Sequence, residues 1–299
     1  MHRLTITRRD GAPLAGYLAG SRGPVLVLAN GLGGPVSALR HQIRYFEREF
    51  RVLTWDYRGL YGSRGNVPPE RVDVAAQADD LEDLLRSVSD EPAVVVGWSM
   101  GVQVALELAR RAPERVRELV LISGAQGRPM ANLRLPFAGR VLPPLVERLR
   151  RYHRLGSRVV AHAARSRAAV ELVRRSHLVS PRLGADEIQA LAREFTALDL
   201  DVYLRTLAAL EQHDATPVLR ELAAPTLVVA GARDPLFSPR VAQKLTRHIE
   251  HAELYVVPHA THYAPLEFPE LVNARIARFL GSFAPAGSAK PVLARGAGD

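Results

Sequence analysis

Residues 93–111 read AVVVGWSMGVQVALELARR. Ala93 to Val96 form a short apolar run, rich in β-branched residues and without alternation. Such a run suits a strand buried on both faces. Beyond Gly101 the apolar residues Val102, Ala105, Leu106 and Ala109 recur at spacings of three and four, the pattern of an amphipathic helix. Between strand and helix stands Gly97-Trp98-Ser99-Met100-Gly101. A serine in so sharp a turn projects its hydroxyl only from a strained backbone, at a cost of roughly 1–3 kcal/mol. Side chains at 97 and 101 would collide with the neighbouring strand and helix, so glycine is required there. The helix start also supplies backbone N–H groups and the positive end of the helix dipole. The plain alternative is an inert strand-to-helix turn that happens to contain a serine.

Outward from this element the same pattern repeats. Further strand-like runs are Pro24–Ala29, Arg51–Trp55, Glu118–Ile122, Pro225–Ala230 and Glu253–Val257, and residues 3–8 and 12–18 read as a hairpin. Helical periodicity covers 37–48, 71–88, 101–111, 239–250 and 269–281. Alternating strand and helix predicts an α/β protein with a mostly parallel eight-stranded sheet flanked by helices. The alternation stops between about 127 and 215, where only amphipathic helices are legible: Leu142, Leu145, Val146 and Leu149, then Ile188, Leu191 and Phe195, then Leu200, Tyr203, Leu204 and Leu207. We expect a helical cap at 127–215 inserted between core segments 1–126 and 216–284. Residues 285–299, rich in Ala, Gly and Pro, are expected to form a disordered tail.

The chain has 299 residues and no cysteine, so disulfides and thiolate metal sites are impossible. No run of eighteen apolar residues is present, which excludes a transmembrane helix. Arg8-Arg9 resembles the start of a twin-arginine signal. Asp10-Gly11 reads instead as a hairpin turn, and a cytoplasmic protein is the default expectation. The net charge of +9 is uneven. Residues 128–182 hold thirteen arginines against Glu147 and Glu171 only, a local +11, and the rest of the chain sums to −2. Such a segment attracts anions: an acidic acyl carrier protein, a coenzyme A thioester or an anionic membrane surface. The bland reading is solvated arginine in an arginine-rich protein. No nucleic-acid-binding module is recognisable.

The strand–GxSxG–helix element, with the order of elements around it, resembles the α/β-hydrolase superfamily over residues 3–283, and among its members small capped ones such as carboxylesterases, proline iminopeptidase-like and meta-cleavage C–C hydrolases. The Gly-Trp-Ser element also resembles pimeloyl-acyl-carrier-protein methyl ester esterases. The resemblance implies an α/β-hydrolase fold in which Ser99 is the nucleophile. It implies an acid at Asp234, where the run PTLVVA ends in Gly231-Ala232-Arg233-Asp234. The family's alternative acid position, after Ile122, holds Ser123-Gly124-Ala125 and no carboxylate. It implies a base at His262, in Pro258-His259-Ala260-Thr261-His262. His259, where glycine is usual, is the lesser candidate, and His153, His162 and His177 fall on the cap as surface residues. A serine hydroxyl is a poor nucleophile unaided. A neutral imidazole takes its proton and returns it to the leaving group, and a buried carboxylate orients the imidazole.

The oxyanion donors implied are the backbone N–H groups of Met100 and of Leu32, in the loop Asn30-Gly31-Leu32-Gly33-Gly34. The departure here is Asn30 in place of the family histidine. Trp98, Gly31 and Asn30 are expected to line the substrate pocket, an apolar space between cap and core with Trp98, Met100 and Leu32 near its floor. Asp56-Tyr57-Arg58-Gly59-Leu60-Tyr61-Gly62-Ser63 resembles the family's DxRGxGxS loop, with Tyr61 where glycine is usual. It reads as structural, a charged pair and tight turns bracing the sheet edge. A serine nucleophile argues against the dehalogenase and epoxide hydrolase branches, which use aspartate. The expected substrate is a small-molecule ester or related acyl compound, with no cofactor and no metal. Acyl transfer, thioester hydrolysis and cofactor-free perhydrolysis use the same triad and stay open, as does a non-catalytic ligand-binding protein on this fold.

Overall fold

The computed structural model describes residues 1–8, 10–65, 67–132, 138–176 and 178–281. His177 and the tail expected at 285–299 lie outside the described residues. The apolar runs form eight strands: β1 (His2–Thr7), β2 (Pro13–Ala19), β3 (Val25–Ala29), β4 (Arg51–Trp55), β5 (Ala93–Trp98), β6 (Val116–Ile122), β7 (Thr226–Gly231) and β8 (Ala252–Val257). They build one sheet in the order β1-β2-β4-β3-β5-β6-β7-β8. β2 runs antiparallel to both β1 and β4, and every other pair is parallel. The helices are α1 (Arg40–Phe46), α2 (Val74–Val88), α3 (Met100–Arg111), α4 (Ala138–Arg150), α5 (His153–Ala163), α6 (Arg167–Arg175), α7 (Ala185–Phe195), α8 (Leu200–Gln212), α9 (Pro239–His248), α10 (Ala264–Glu267) and α11 (Pro269–Gly281).

Successive strand side chains point to opposite faces, and both faces are covered. Val25, Val27 and Ala29 of β3 join a core with Leu81 and Leu84 of α2, Val104 and Leu108 of α3 and Leu245 of α9. Leu26 and Leu28 join a second core with Ile43 and Phe46 of α1 and Val272, Ile276 and Phe279 of α11. A strand clothed on both sides has no solvent face, which is why these runs lack alternation.

Two helix starts differ from the periodicity by three residues. The helix expected at 37–48 is a 3-10 turn, Val36–Leu39, followed by α1. Pro35 precedes that turn, and its carbonyl accepts from Ala38 N–H at 2.9 Å. The helix expected from 71 starts at Val74, because Asp73 caps it by accepting from Ala76 N–H at 2.8 Å.

The chain leaves β3 toward β4 on one side and later enters β5 on the other. β3 and β5 are therefore adjacent strands whose outgoing loops diverge, the place where open α/β sheets form a crevice. Ala29 pairs with Gly97, so the loops that follow both strands emerge together. Between β6 and β7 the described chain forms α4–α8. An isolated antiparallel bridge, Gly127 with Asp214, brings the two ends of this insertion side by side. Among the described residues no helix is long and apolar enough to cross a membrane.

Candidate active site

Ser99 occupies the turn between β5 and α3 at φ 57°, ψ −114°. Its strain is held by close packing on both sides. A Cβ on Gly97 would lie 2.3 Å from Gly101 O, and one on Gly101 would lie 2.1 Å from Ala29 O. Ser99 is partly exposed within an otherwise buried run from Ala93 to Ala109. The hydroxyl is thus reachable from outside while its support is rigid.

The other two members of the expected triad come to it from 135 and 163 residues further along the chain. His262 Nε2 lies 3.0 Å from Ser99 Oγ, and His262 Nδ1 lies 3.1 Å from Asp234 Oδ2. The tautomer with its proton on Nδ1 satisfies both contacts: Nδ1–H donates to the carboxylate and Nε2 accepts from the hydroxyl. Asp234 is buried, and its other oxygen accepts from the N–H groups of Leu236 and Phe237 at 2.8 and 2.9 Å. The turn after β7 thereby fixes the carboxylate, and the carboxylate fixes the imidazole. The rings of Phe237, Tyr263 and Trp98 stand 5.6, 5.6 and 6.1 Å from the imidazole centroid. His259 is exposed, at φ 62°. A left-handed conformation there accounts for the family's glycine at that position.

The loop after β3 abuts the serine. A Cβ on Gly31 would stand 3.3 Å from Ser99 Cβ. Asn30 holds this loop from within: its Oδ1 accepts from Gly31 N–H at 2.8 Å and its Nδ2 donates to the carbonyls of Gly34 and Pro35, each at 2.9 Å. Gly34 N–H donates to Gly31 O at 3.0 Å, closing a turn with Leu32 and Gly33 at its tip. Met100, at the first position of α3, follows the serine directly. Trp98 is buried, and its indole N–H donates to His262 O at 3.0 Å. The polar atoms of Asn30 and Trp98 are thus committed to the loop and to the histidine segment, and both residues act as braces.

The 56–63 loop differs from the expected charged pair. Asp56 and Arg58 do not form a charged pair with each other. Arg58 is buried and binds Asp80 through Nε at 3.2 Å and Nη2 at 2.6 Å, and it also meets Asp10. Asp56 accepts from Tyr17 Oη at 2.8 Å and from Gly62 N–H at 2.9 Å. Burial raises the Asp56 carboxyl above its ordinary value against the pull of these two donors. Burial and the carboxylate together push the Tyr17 phenol up to about 12.

Three residues near the site were given no individual role by the sequence pattern. Tyr57 Oη donates to Asn30 O at 2.5 Å and Tyr61 Oη donates to Gly33 O at 2.6 Å, so both ends of the Gly-rich loop are tied to the 56–63 loop. Tyr61 is the residue at the family's glycine position, and it sits at φ 43°. Glu267 is buried and accepts from Thr261 N–H and Oγ1, each at 2.7 Å, and from Ser180 N–H at 2.6 Å. It joins the histidine segment to the insertion. A carboxylate within the apolar stretch 264–268 was the available signal.

The insertion reaches the site through α7 and α8. A Cβ on Gly33 would lie 2.7 Å from the Tyr203 ring and 2.8 Å from the Phe195 ring. Ser37 donates to Glu194 at 2.8 Å, mooring α7 beside the same loop. Among the described residues no group of three or more His, Cys, Asp or Glu side chains has the arrangement of a metal site.

The family model described as the alpha/beta hydrolase fold matches residues 24–269. A protein of Agrobacterium fabrum, provisionally named carbamate hydrolase RutD, is 28% identical over 257 residues, covering 86% of this chain and 93% of its own. The 3-oxoadipate enol-lactonase 2 of Acinetobacter baylyi is 28% identical over 280 residues, covering 93% and 97%. The solved structure of a thermophilic esterase from Thermogutta terrifontis superposes with a TM-score of 0.76 at 26% identity, covering 94% of this chain and 98% of that one. The match of the family model over most of the chain, on a sheet of this order, leads to one conclusion: the chain belongs to the α/β-hydrolase family.

Proposed function

We propose that this chain is a serine hydrolase that cleaves a carboxylic ester or related acyl compound through an acyl-enzyme on Ser99. The observation that carries the reading is the unbroken contact chain Ser99–His262–Asp234, at 3.0 and 3.1 Å, beginning at a strained elbow. His262 Nε2 takes the serine proton as Oγ bonds to the substrate carbonyl carbon. The carbonyl oxygen becomes an oxyanion and accepts hydrogen bonds from the N–H groups of Met100 and Leu32. The bond to the leaving group then breaks, and Nε2–H gives its proton to the departing oxygen. Water attacks the acyl-enzyme with the same imidazole as base, releasing the acid and restoring the serine. The insertion at 127–215 acts as the cap, its Phe195 and Tyr203 covering the tip of the oxyanion loop.

An ester, a lactone and a carbamate all present a carbonyl carbon to such a nucleophile. The esterase, lactonase and carbamate hydrolase names of the relatives fall within that class. The test has two parts. A fluorophosphonate probe followed by peptide mapping labels Ser99, and labelling of any other residue overturns the assignment. A panel of aryl esters of rising acyl length, with an aryl amide, an aryl carbamate and an acyl thioester beside it, fixes the bond cleaved. Turnover of none of them sinks the reading.

A further inference from the structure

The triad leaves unexplained the outer surface of the insertion. Among the described residues, eight of the eleven exposed large apolar side chains fall between Val141 and Leu178. Apolar exposure is thus concentrated in the segment that carries the excess of positive charge.

The pattern is regular. Val141, Leu145 and Leu149 on α4, Tyr152 in the turn, and Leu155 and Val159 on α5 follow one another at spacings of three and four, each between 44% and 61% exposed. The inward residues Leu142 and Val146 of α4 pack with Met130, Leu204 and Tyr203, and Gly156 of α5 approaches Leu200. The apolar arc of α4 is therefore wider than α8 covers, and its outer half faces solvent. Arginines border that half. Arg148, Arg151, Arg154 and Arg158 are exposed and form no ion pair among the described residues. The two acids of the segment are already engaged, Glu147 by Arg150 and Glu171 by Arg174 and Arg175. A surface depression of about 520 Å³ on this face is lined by Leu145, Arg148, Arg151 and Tyr152, with Pro144 and Glu147.

We propose that α4 and α5 dock on an anionic lipid surface, the apolar stripe entering the headgroup–acyl boundary and the arginines meeting lipid phosphates. An apolar stripe flanked by arginine is the composition of an interfacial helix. Arginine stems extend along such a boundary while the guanidinium stays in the polar layer. A second copy of this chain is a poor occupant, because two segments of +11 repel each other. An acidic protein would satisfy the charge alone and leave the stripe without an apolar phase.

The test is co-sedimentation of the full chain with vesicles of phosphatidylcholine containing phosphatidylglycerol, against pure phosphatidylcholine, at rising salt. Binding to the anionic vesicles that weakens with salt is the expected result. Leu149→Ser with Leu155→Ser lowers the partition coefficient about tenfold or more. Arg151→Gln with Arg158→Gln lowers it on the order of tenfold to thirtyfold. Leu271→Ser, an exposed position on α11, leaves it unchanged. These side chains are exposed, and an unchanged melting temperature verifies that each variant is folded. Absence of vesicle binding overturns the proposal, as does equal binding to neutral vesicles. Loss with the arginine pair but not with the leucine pair overturns it too, because the stripe then does not enter the headgroup–acyl boundary.

Discussion

A non-glycine residue at φ 57° persists only where its surroundings leave no alternative, and the elbow that holds Ser99 is packed that tightly, Gly97 against Gly101 and Gly101 against Ala29. On the proposed mechanism its hydroxyl is the atom that attacks the substrate. Ser99→Ala is expected to lower kcat by about 10⁴–10⁶ while the melting temperature stays within a few degrees. Activity on a good aryl ester, measured beside a thermal melt, checks this. Tyr61 presents the same kind of strain for a different purpose. At φ 43° a tyrosine costs on the order of 1–2 kcal/mol relative to glycine. What the conformation provides is the bond from its phenol to Gly33 O at 2.6 Å. Burial raises that phenol well above its ordinary value, so it remains a donor at any working pH. Tyr61→Phe removes the tether and keeps the ring. If the loop supplies an oxyanion donor, kcat falls about tenfold with little change in KM, because the interaction lost is one made in the transition state. A rise in KM alone would instead assign Tyr61 to substrate binding.

At the scale of elements, the elbow joins β5 to α3 so closely that the strand and helix cannot be separated by a methyl group. A Cβ on Gly101 would stand 2.1 Å from Ala29 O, a backbone atom that cannot yield without moving β3. Gly101→Ala is expected to cost about 3 kcal/mol or more, read as a shift in the urea midpoint. Gly281→Ala, with nothing within 4 Å of the new Cβ, is the neutral control. The same closeness explains what was legible beforehand. Each buried strand is clothed on both faces, so its residues are apolar without alternation, and all eight strands could be read from that or from a hairpin signal. The elbow was legible because its two glycines and its serine are demanded locally. Asp234 and His262 were legible only through the family pattern, since nothing in the chain between Ser99 and His262 encodes their approach. The bonds from Tyr57, Tyr61 and Ser180 were not legible, although a carboxylate within the apolar stretch 264–268 marked Glu267. Each spans loops distant in sequence, and a tyrosine that braces a loop has the same composition as one that fills a core. The start of α1 was misread because periodicity does not distinguish a 3-10 turn after proline from the first turn of an α-helix.

Across the whole molecule, the elbow helix and the neck of the insertion meet at one carboxylate. Glu107 lies on α3, two turns beyond Ser99, and is buried. It accepts from Arg110 through Nε at 2.9 Å and Nη2 at 2.6 Å, and from Arg111 Nε at 2.6 Å. Arg111 continues to Asp79 of α2 at 2.6 Å. His213, the residue after α8, contacts Gln103 at 2.7 Å and Glu107 at 3.4 Å. Beside it the chain re-enters the core, where Ala215 N–H donates to Gln126 O at 2.9 Å. Burial alone would raise the Glu107 carboxyl, but the hydrogen bonds from His213, Arg110 and Arg111 outweigh it and hold it well below its ordinary 4.5. A carboxyl depressed in the folded state binds its proton more weakly there than in the unfolded chain. Its contribution to stability is therefore complete above about pH 4.5 and is lost as the pH falls through the lower, folded value. Glu107→Gln keeps the shape and removes the charge. At neutral pH the variant should be less stable by about 1.5–3 kcal/mol. Below about pH 4.5 the gap to the wild type should narrow progressively, because the unfolded wild-type chain then takes up a proton that the folded carboxylate still excludes. Urea unfolding of both proteins from neutral to strongly acid pH measures this. A gap near zero across that range would mean that Glu107 contributes shape and not charge, and that the neck of the insertion is held by packing alone.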